Sequence, residues 1–195
     1  PLARRLAGGL ELMARKLRLG HGVRTPAQCA ELVQEDVAFA TSLLGARHLA
    51  GDARVTWAVR TPVATHLSGE GLADFARWLE QDRGRRLGRL GDTVAVLEPD
   101  LKRGVGGLRD AQLVDWLSTL QGHPLDPAVR NALDTLLRVR MVLHALTTFK
   151  GDRLTFPYQD LVASHLGYGD PSADDGAAER LMQEVHLAGR VIARH

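Results

Sequence analysis

Cysteine is nearly absent from this chain. Cys29 is the one thiol in 195 residues, so no internal disulfide can form, and the composition suits a reducing, cytoplasmic setting. Aromatic residues make up 5%, with three Trp, four Phe and two Tyr, too few for a platform on which single-stranded bases would stack. Lysine is scarce too. Of 25 basic residues only Lys16, Lys102 and Lys150 are lysine, and the arginines alternate with 23 acids, leaving a net charge of +2 and no basic stripe. Nucleic acid is therefore not an expected partner. No apolar run approaches the ~20 residues of a membrane span, and no charged start with an apolar core marks a secretory signal, so a membrane is not expected either. The eight histidines have no ligand spacing, no serine sits in a nucleophile elbow, and Cys29 has no base near it in sequence.

What remains is apolar enough, at 45%, to bury the core of one or two small domains. Helical spacing dominates. Leu6, Leu10, Met13, Ala14 and Leu17 make one stripe over 2–17. After a short extended piece at 19–25, Thr25 can cap a helix with Pro26 in its first turn, carrying Ala30, Val33, Val37, Ala40 and Leu44. Further helices are expected over 72–87, 109–121, 127–149, 158–166 and 176–194. Two β-branched runs, 55–59 and 93–97, are the candidate strands, too few to close a sheet.

The densest chemistry lies in Glu98-Pro-Asp-Leu-Lys-Arg-Gly-Val-Gly-Gly-Leu-Arg-Asp110. Gly104, Gly106 and Gly107 stand between Lys102 and Arg109, and an apolar helical pattern follows at once. A glycine loop at a helix start can aim backbone N–H groups at an anion, and the flanking cations would make that anion a phosphate. The spacing is neither a P-loop nor a dinucleotide fingerprint, and glycines also make plain turns. A second cluster lies on 127–149. On a helical wheel Val129, Leu133, Leu136, Leu137 and Leu143 form an apolar arc, with Arg140 at its centre and His144 one turn on. An inward guanidinium needs a partner. That partner is either an acid (Asp110, Asp115 or Asp152) or an anionic ligand in a pocket between helices. Asp152 itself reads most simply as a helix cap, and Arg24 as a surface arginine that can also reach a phosphate.

The wording of the glycine segment resembles that of the bacterial PII uridylyltransferases, the bifunctional enzymes that attach and remove a nucleotide on the nitrogen-signalling PII protein. Glycine-rich residues 98–110, Gly20-His-Gly-Val-Arg-Thr25, Leu137-Arg-Val-Arg140 with His144, and Gly151-Asp-Arg-Leu154 with Gln159 agree in order and spacing. The glutamine-synthetase adenylyltransferases carry a related form. The resemblance implies a mostly α fold, a helical bundle following a remnant of an α/β nucleotidyltransferase domain. Residues 1–97 would be the C-terminal part of that domain and 98–195 a helical substrate-binding domain. It implies UTP or ATP as the nucleoside triphosphate, the PII protein as partner, and Mg²⁺ in the intact enzyme. It also implies a phosphate-binding set of Lys102, Gly104, Gly106, Gly107, Arg109, Asp110, Arg140, His144 and Arg24. The Gly-Ser pair and D-x-D metal motif of the family do not occur in this sequence; its nearest spacing, Asp174-Asp175, reads as a solvated turn. Alternatives are an adenylyltransferase of the glutamine-synthetase type and a non-catalytic regulatory module.

Two-metal nucleotidyl transfer needs clustered carboxylates. The 195-residue chain alone, given Mg²⁺ and labelled UTP or ATP, is thus expected to transfer no nucleotide above a buffer blank. Metal-dependent turnover would contradict this.

Overall fold

The computed structural model describes residues 22–90, 95–147, 151–169 and 176–195. The expected helix over 2–17, His21, the start of the candidate strand at 93–97, and Asp174-Asp175 lie outside them. The chain divides into two compact units, Pro1–His66 and Leu67–His195.

In the first unit the chain enters α1 (Pro26–Glu35) through a capping box. The Thr25 hydroxyl accepts from Gln28 N at 3.3 Å and the Gln28 side chain accepts from Thr25 N at 2.9 Å, with Pro26 in the first turn as expected. The single helix expected to run on to Leu44 is in fact two. Asp36 is extended (φ −132°), ends α1, and caps α2 (Val37–Leu44) by accepting from Ala38 N and Phe39 N. Cys29 is buried and in no disulfide. Residues 55–59 are not a strand: they lie in α3 (Ala53–Ser68). Val63 and Leu67 are fully buried and Val59 partly so, a four-residue spacing that a five-residue window of alternation does not reveal.

The second unit opens with α4 (Leu72–Leu90) and continues through the glycine loop into α5 (Leu108–Leu120), α6 (Pro127–Leu146), α7 (Phe156–His165) and α8 (Ala177–Ala193). α6, α7 and α8 pack on one another, and α5 lies against α6 and α8. Leu101, Val129, Leu136, Val139, Leu143, Leu154, Leu181 and Ile192 form the centre of the core. Leu137, expected in the inward arc of α6, is instead 37% exposed, and Val139 takes the seam. Residues 95–97 form no strand. Among the described residues the sole β feature is one antiparallel bridge, Asp100 to Arg153. The mostly helical class is thus as expected, and no sheet occurs in the described part.

That bridge organises the loop. Leu101 N donates to Asp152 O at 2.8 Å and Leu154 N to Pro99 O at 2.9 Å. Glu98 caps α7 from 58 residues away, its carboxylate accepting from Phe156 N at 3.0 Å. The buried Gln159 amide donates to the carbonyls of Leu97 and Leu154. Gly106, at φ +69°, lies so close to α8 that an added Cβ would stand 2.0 Å from Gly189 O. Gly107 has an ordinary φ of −78°, but a Cβ there would meet the carbonyls of Gly104 and Leu101 at 2.9 and 3.0 Å.

Two glycines make a test. Gly122 shares a positive φ (+73°) but has open space around it. Gly122→Ala should cost only the left-handed penalty, about 1–2 kcal/mol. Gly106→Ala adds a backbone clash and should cost a further ~1–3 kcal/mol. Equal melting temperatures for the two variants would remove the packing role of Gly106.

Candidate functional site

The glycine loop directs its backbone inward. Gly104 N donates to Asp100 O, Gly107 N to Gly104 O, Leu108 N to Leu101 O and Arg109 N to Lys102 O, all at 2.9–3.0 Å. The Asp100 carboxylate accepts from Lys102 N and Arg103 N at 3.0 and 2.7 Å, and the Asp110 carboxylate accepts from Gly106 N at 2.8 Å. These amides are engaged within the protein, so what the loop turns outward is side-chain charge. Its glycines are explained by close backbone packing against α8 and within the loop.

That charge converges. Lys102, Arg109 and Arg140 line one cleft of about 240 Å³, with Leu108 and Gln112 completing its wall. Lys102 comes from the loop, Arg109 from the first turn of α5, and Arg140 from the middle of α6. Arg109 Nη1 donates to Gln112 Oε1 at 3.1 Å. Arg140 is half-buried, and its Nε donates to Asp152 Oδ1 at 2.7 Å. His144, one turn further along α6, places Nε2 3.0 Å from the same oxygen. Of the acids weighed for Arg140, Asp152 is the partner, and it reaches Arg140 because the bridge at Asp100 and Arg153 lays residues 151–154 beside the loop. Asp152 is therefore no helix cap. The cap of α7 comes from Glu98.

Asp110 faces away from this cleft's cations and is engaged by Arg86 Nη2 at 2.8 Å. Arg24 belongs to the first unit, where its guanidinium stands 5.2 Å from the centre of the Phe39 ring. A larger cavity, about 470 Å³, opens between α4, α5 and α8 with an apolar wall including Leu79, Leu113, Leu117 and Ile192; of the expected site residues only Asp110 touches it. Sequence reasoning missed Arg86, whose neighbours Arg83 and Arg85 are exposed and of the same type. Among the described residues no three His, Cys, Asp or Glu side chains gather into a cation site. No described helix is long and apolar enough to cross a membrane.

Burial alone would push the Asp152 carboxyl up. The hydrogen bond and charge of Arg140, the hydrogen bond of His144 and the charge of Lys102 together outweigh burial, and the group titrates below its usual 3.8. A carboxyl depressed on folding contributes stability that is present above 3.8 and lost as pH falls through the lower, folded value. The stability difference between the native chain and Asp152→Asn should thus shrink as pH falls below 3.8. A difference independent of pH in acid denaturation would show that the carboxylate is not held by these cations.

The family model described as GlnD PII-uridylyltransferase matches residues 74–125 and 127–195. The chain is 36% identical over 183 residues to a bifunctional uridylyltransferase/uridylyl-removing enzyme of Methylococcus capsulatus, covering 86% of this chain and 21% of that protein. The enzyme of the same name from Streptomyces coelicolor is 37% identical over 180 residues, covering 90% and 20%. That of Caulobacter vibrioides is 32% identical over 191 residues, again covering 90% and 20%. The chain thus spans about a fifth of the length of the curated relatives it matches. No solved structure matches it significantly. The matched segment holds the glycine loop, the cation cleft and the Arg140–Asp152–His144 cluster together, and by it this chain belongs to the GlnD PII-uridylyltransferase family.

Proposed function

We propose that this chain serves a nucleotidyltransferase that moves UMP from UTP to a tyrosine of the PII protein, and that its cation cleft receives phosphate oxygens of the nucleotide. The convergence of Lys102, Arg109 and Arg140 on one cleft carries the reading. Asp152 contacts Arg140, whereas among the described residues no carboxylate is hydrogen-bonded to the side chain of Lys102 or Arg109. The names of the relatives favour uridylyl over adenylyl transfer. Residues 1–97 are proposed to belong to the transferase domain, 98–195 to a helical substrate-binding domain, and the setting to be cytoplasmic.

In the reaction the tyrosine hydroxyl attacks the α-phosphate and pyrophosphate leaves. Charge builds on the phosphate oxygens as the bond to the leaving group lengthens, and fixed cations lower the barrier by meeting that charge without rearranging. Arg140 suits this role because Asp152 and the packing of α6 hold its guanidinium in one orientation. Lys102 supplies a mobile point charge, and Arg109 a planar donor set steadied by Gln112. The metal carboxylates that the chemistry also needs lie outside the described residues of this chain or elsewhere in the intact enzyme.

Titration of the chain with inorganic triphosphate and with UTP separates the contributions. Lys102→Met and Arg109→Met should each weaken binding by about tenfold, the worth of one charge-assisted contact, with little loss of stability. Arg140→Met should weaken binding and also cost about 1.5–3 kcal/mol, since Asp152 loses its main partner. Unchanged affinity in all three variants would end the phosphate reading and leave Arg140 as a structural residue.

A further inference from the structure

We infer that Arg86 on α4 is a positioning residue for the cation cleft, acting through the chain neighbours of both Lys102 and Arg109. The inference rests on the phosphate reading of that cleft and names a residue that controls its geometry. Arg86 is one of several arginines at the polar end of α4, but its side chain is only 10% exposed. Its guanidinium makes three separate contacts. Nε donates to Asp82 Oδ2 at 3.1 Å, Nη2 to Asp110 Oδ1 at 2.8 Å, and Nη1 lies 3.4 Å from the carbonyl of Arg103.

The two distant acceptors are the informative ones. Arg103 follows Lys102, and Asp110 follows Arg109. One rigid, planar group therefore spans the positions next to the two cations that the loop and α5 contribute to the cleft. The second oxygen of Asp110 accepts from Gly106 N at 2.8 Å, so the same carboxylate also pins the apex of the loop. Asp82 steadies Arg86 from its own helix, one turn back. Nothing in the local fold of α4 requires this reach: Arg85, at the preceding position, makes a 3.7 Å pair with Asp82 while remaining 61% exposed. Lysine could not replace Arg86 in the role, because a single ammonium lacks the planar fork that meets both the Asp110 carboxylate and the Arg103 carbonyl. The Arg109 N to Lys102 O hydrogen bond fixes the spacing of the two backbones, and Arg86 braces that bonded pair from α4, a helix that contributes no side chain to the cleft wall.

The test uses the 195-residue chain, inorganic triphosphate as probe, and a thermodynamic cycle between Arg86→Met and Lys102→Met, read well below the melting temperature of every variant. Arg86→Met should weaken triphosphate binding by about tenfold, and the effect of Lys102→Met should largely vanish in its background, since adjacent residues acting through one site are not additive. Arg86→Lys should keep the charge yet recover little of the affinity. If Arg86→Met fails to fold, Asp110→Asn, which retains the shape but weakens the grip, is read in the same cycle. A lower melting temperature with full affinity and additive effects would overturn the inference and make Arg86 a stabilising residue only. Loss of any Lys102 effect in the otherwise native chain would instead sink the phosphate reading itself, which keeps the two failures distinct.

Discussion

The close approach of the glycine loop to α8 is the constraint from which the geometry of the second unit follows. Gly106 sits with its α-carbon against the Gly189 carbonyl, where no side chain fits on the loop side. Because the contact is between two backbones, neither surface can shift by rotating a side chain. The loop must then satisfy its amides internally, and it does so with the Asp100 and Asp110 carboxylates and its own carbonyls. Once its backbone is folded inward, the long cationic side chains of Lys102 and Arg109 are what it leaves facing outward.

Acids and bases are accordingly divided by task. Glu98 caps α7, Asp100 ties two amides of the loop, Asp110 joins the loop to Arg86, and Asp152 holds Arg140 and His144. Each of these carboxylates has structural work to do. The cleft therefore keeps a positive excess even though the whole chain is almost neutral, at +2. Such a local excess needs no basic surface. It needs acids consumed nearby as hydrogen-bond acceptors for backbone and for buried arginine, where removing one partner would leave an unsatisfied buried group.

The bridge between Asp100 and Arg153 links these two features. It brings a segment that follows α6 back beside the segment that precedes α5, and so places Asp152 where Arg140 and His144 converge. Arg140 on a helix that is packed against α7 and α8 then has one available orientation. A cation so held would meet an anion with little reorganisation, which is the physical advantage of mounting cations on packed helices and a bonded loop rather than on free side chains.

Much of this was legible in the linear order of residues. The helix start at Pro26 follows from a capping residue followed by proline. Most of the seam of α6 follows from apolar spacing, with Leu137 misassigned and Val139 overlooked, and the glycine segment, Arg140 and His144 were singled out before their surroundings were known. These signals are local, so the sequence by itself determined them: helix signals repeat within one or two turns, and capping needs contacts only three residues apart. Local windows also misled. Five β-branched and aromatic-rich residues at 55–59 looked extended although their inward stripe is helical, and Asp36 breaks a pattern that appeared continuous. What tertiary structure alone decided is which partner each charge meets. Asp152 was one of three acids in reach of Arg140 by sequence; Arg86 was indistinguishable from Arg83 and Arg85; and of the glycines that suggested a ligand cradle, Gly106 is needed because the backbone at Gly189 lies against it, Gly104 and Gly107 because the loop folds tightly on itself. Side-chain pairing over such separations depends on how helices stack and where a loop returns. That is a property of the packed core, and no single segment carries it.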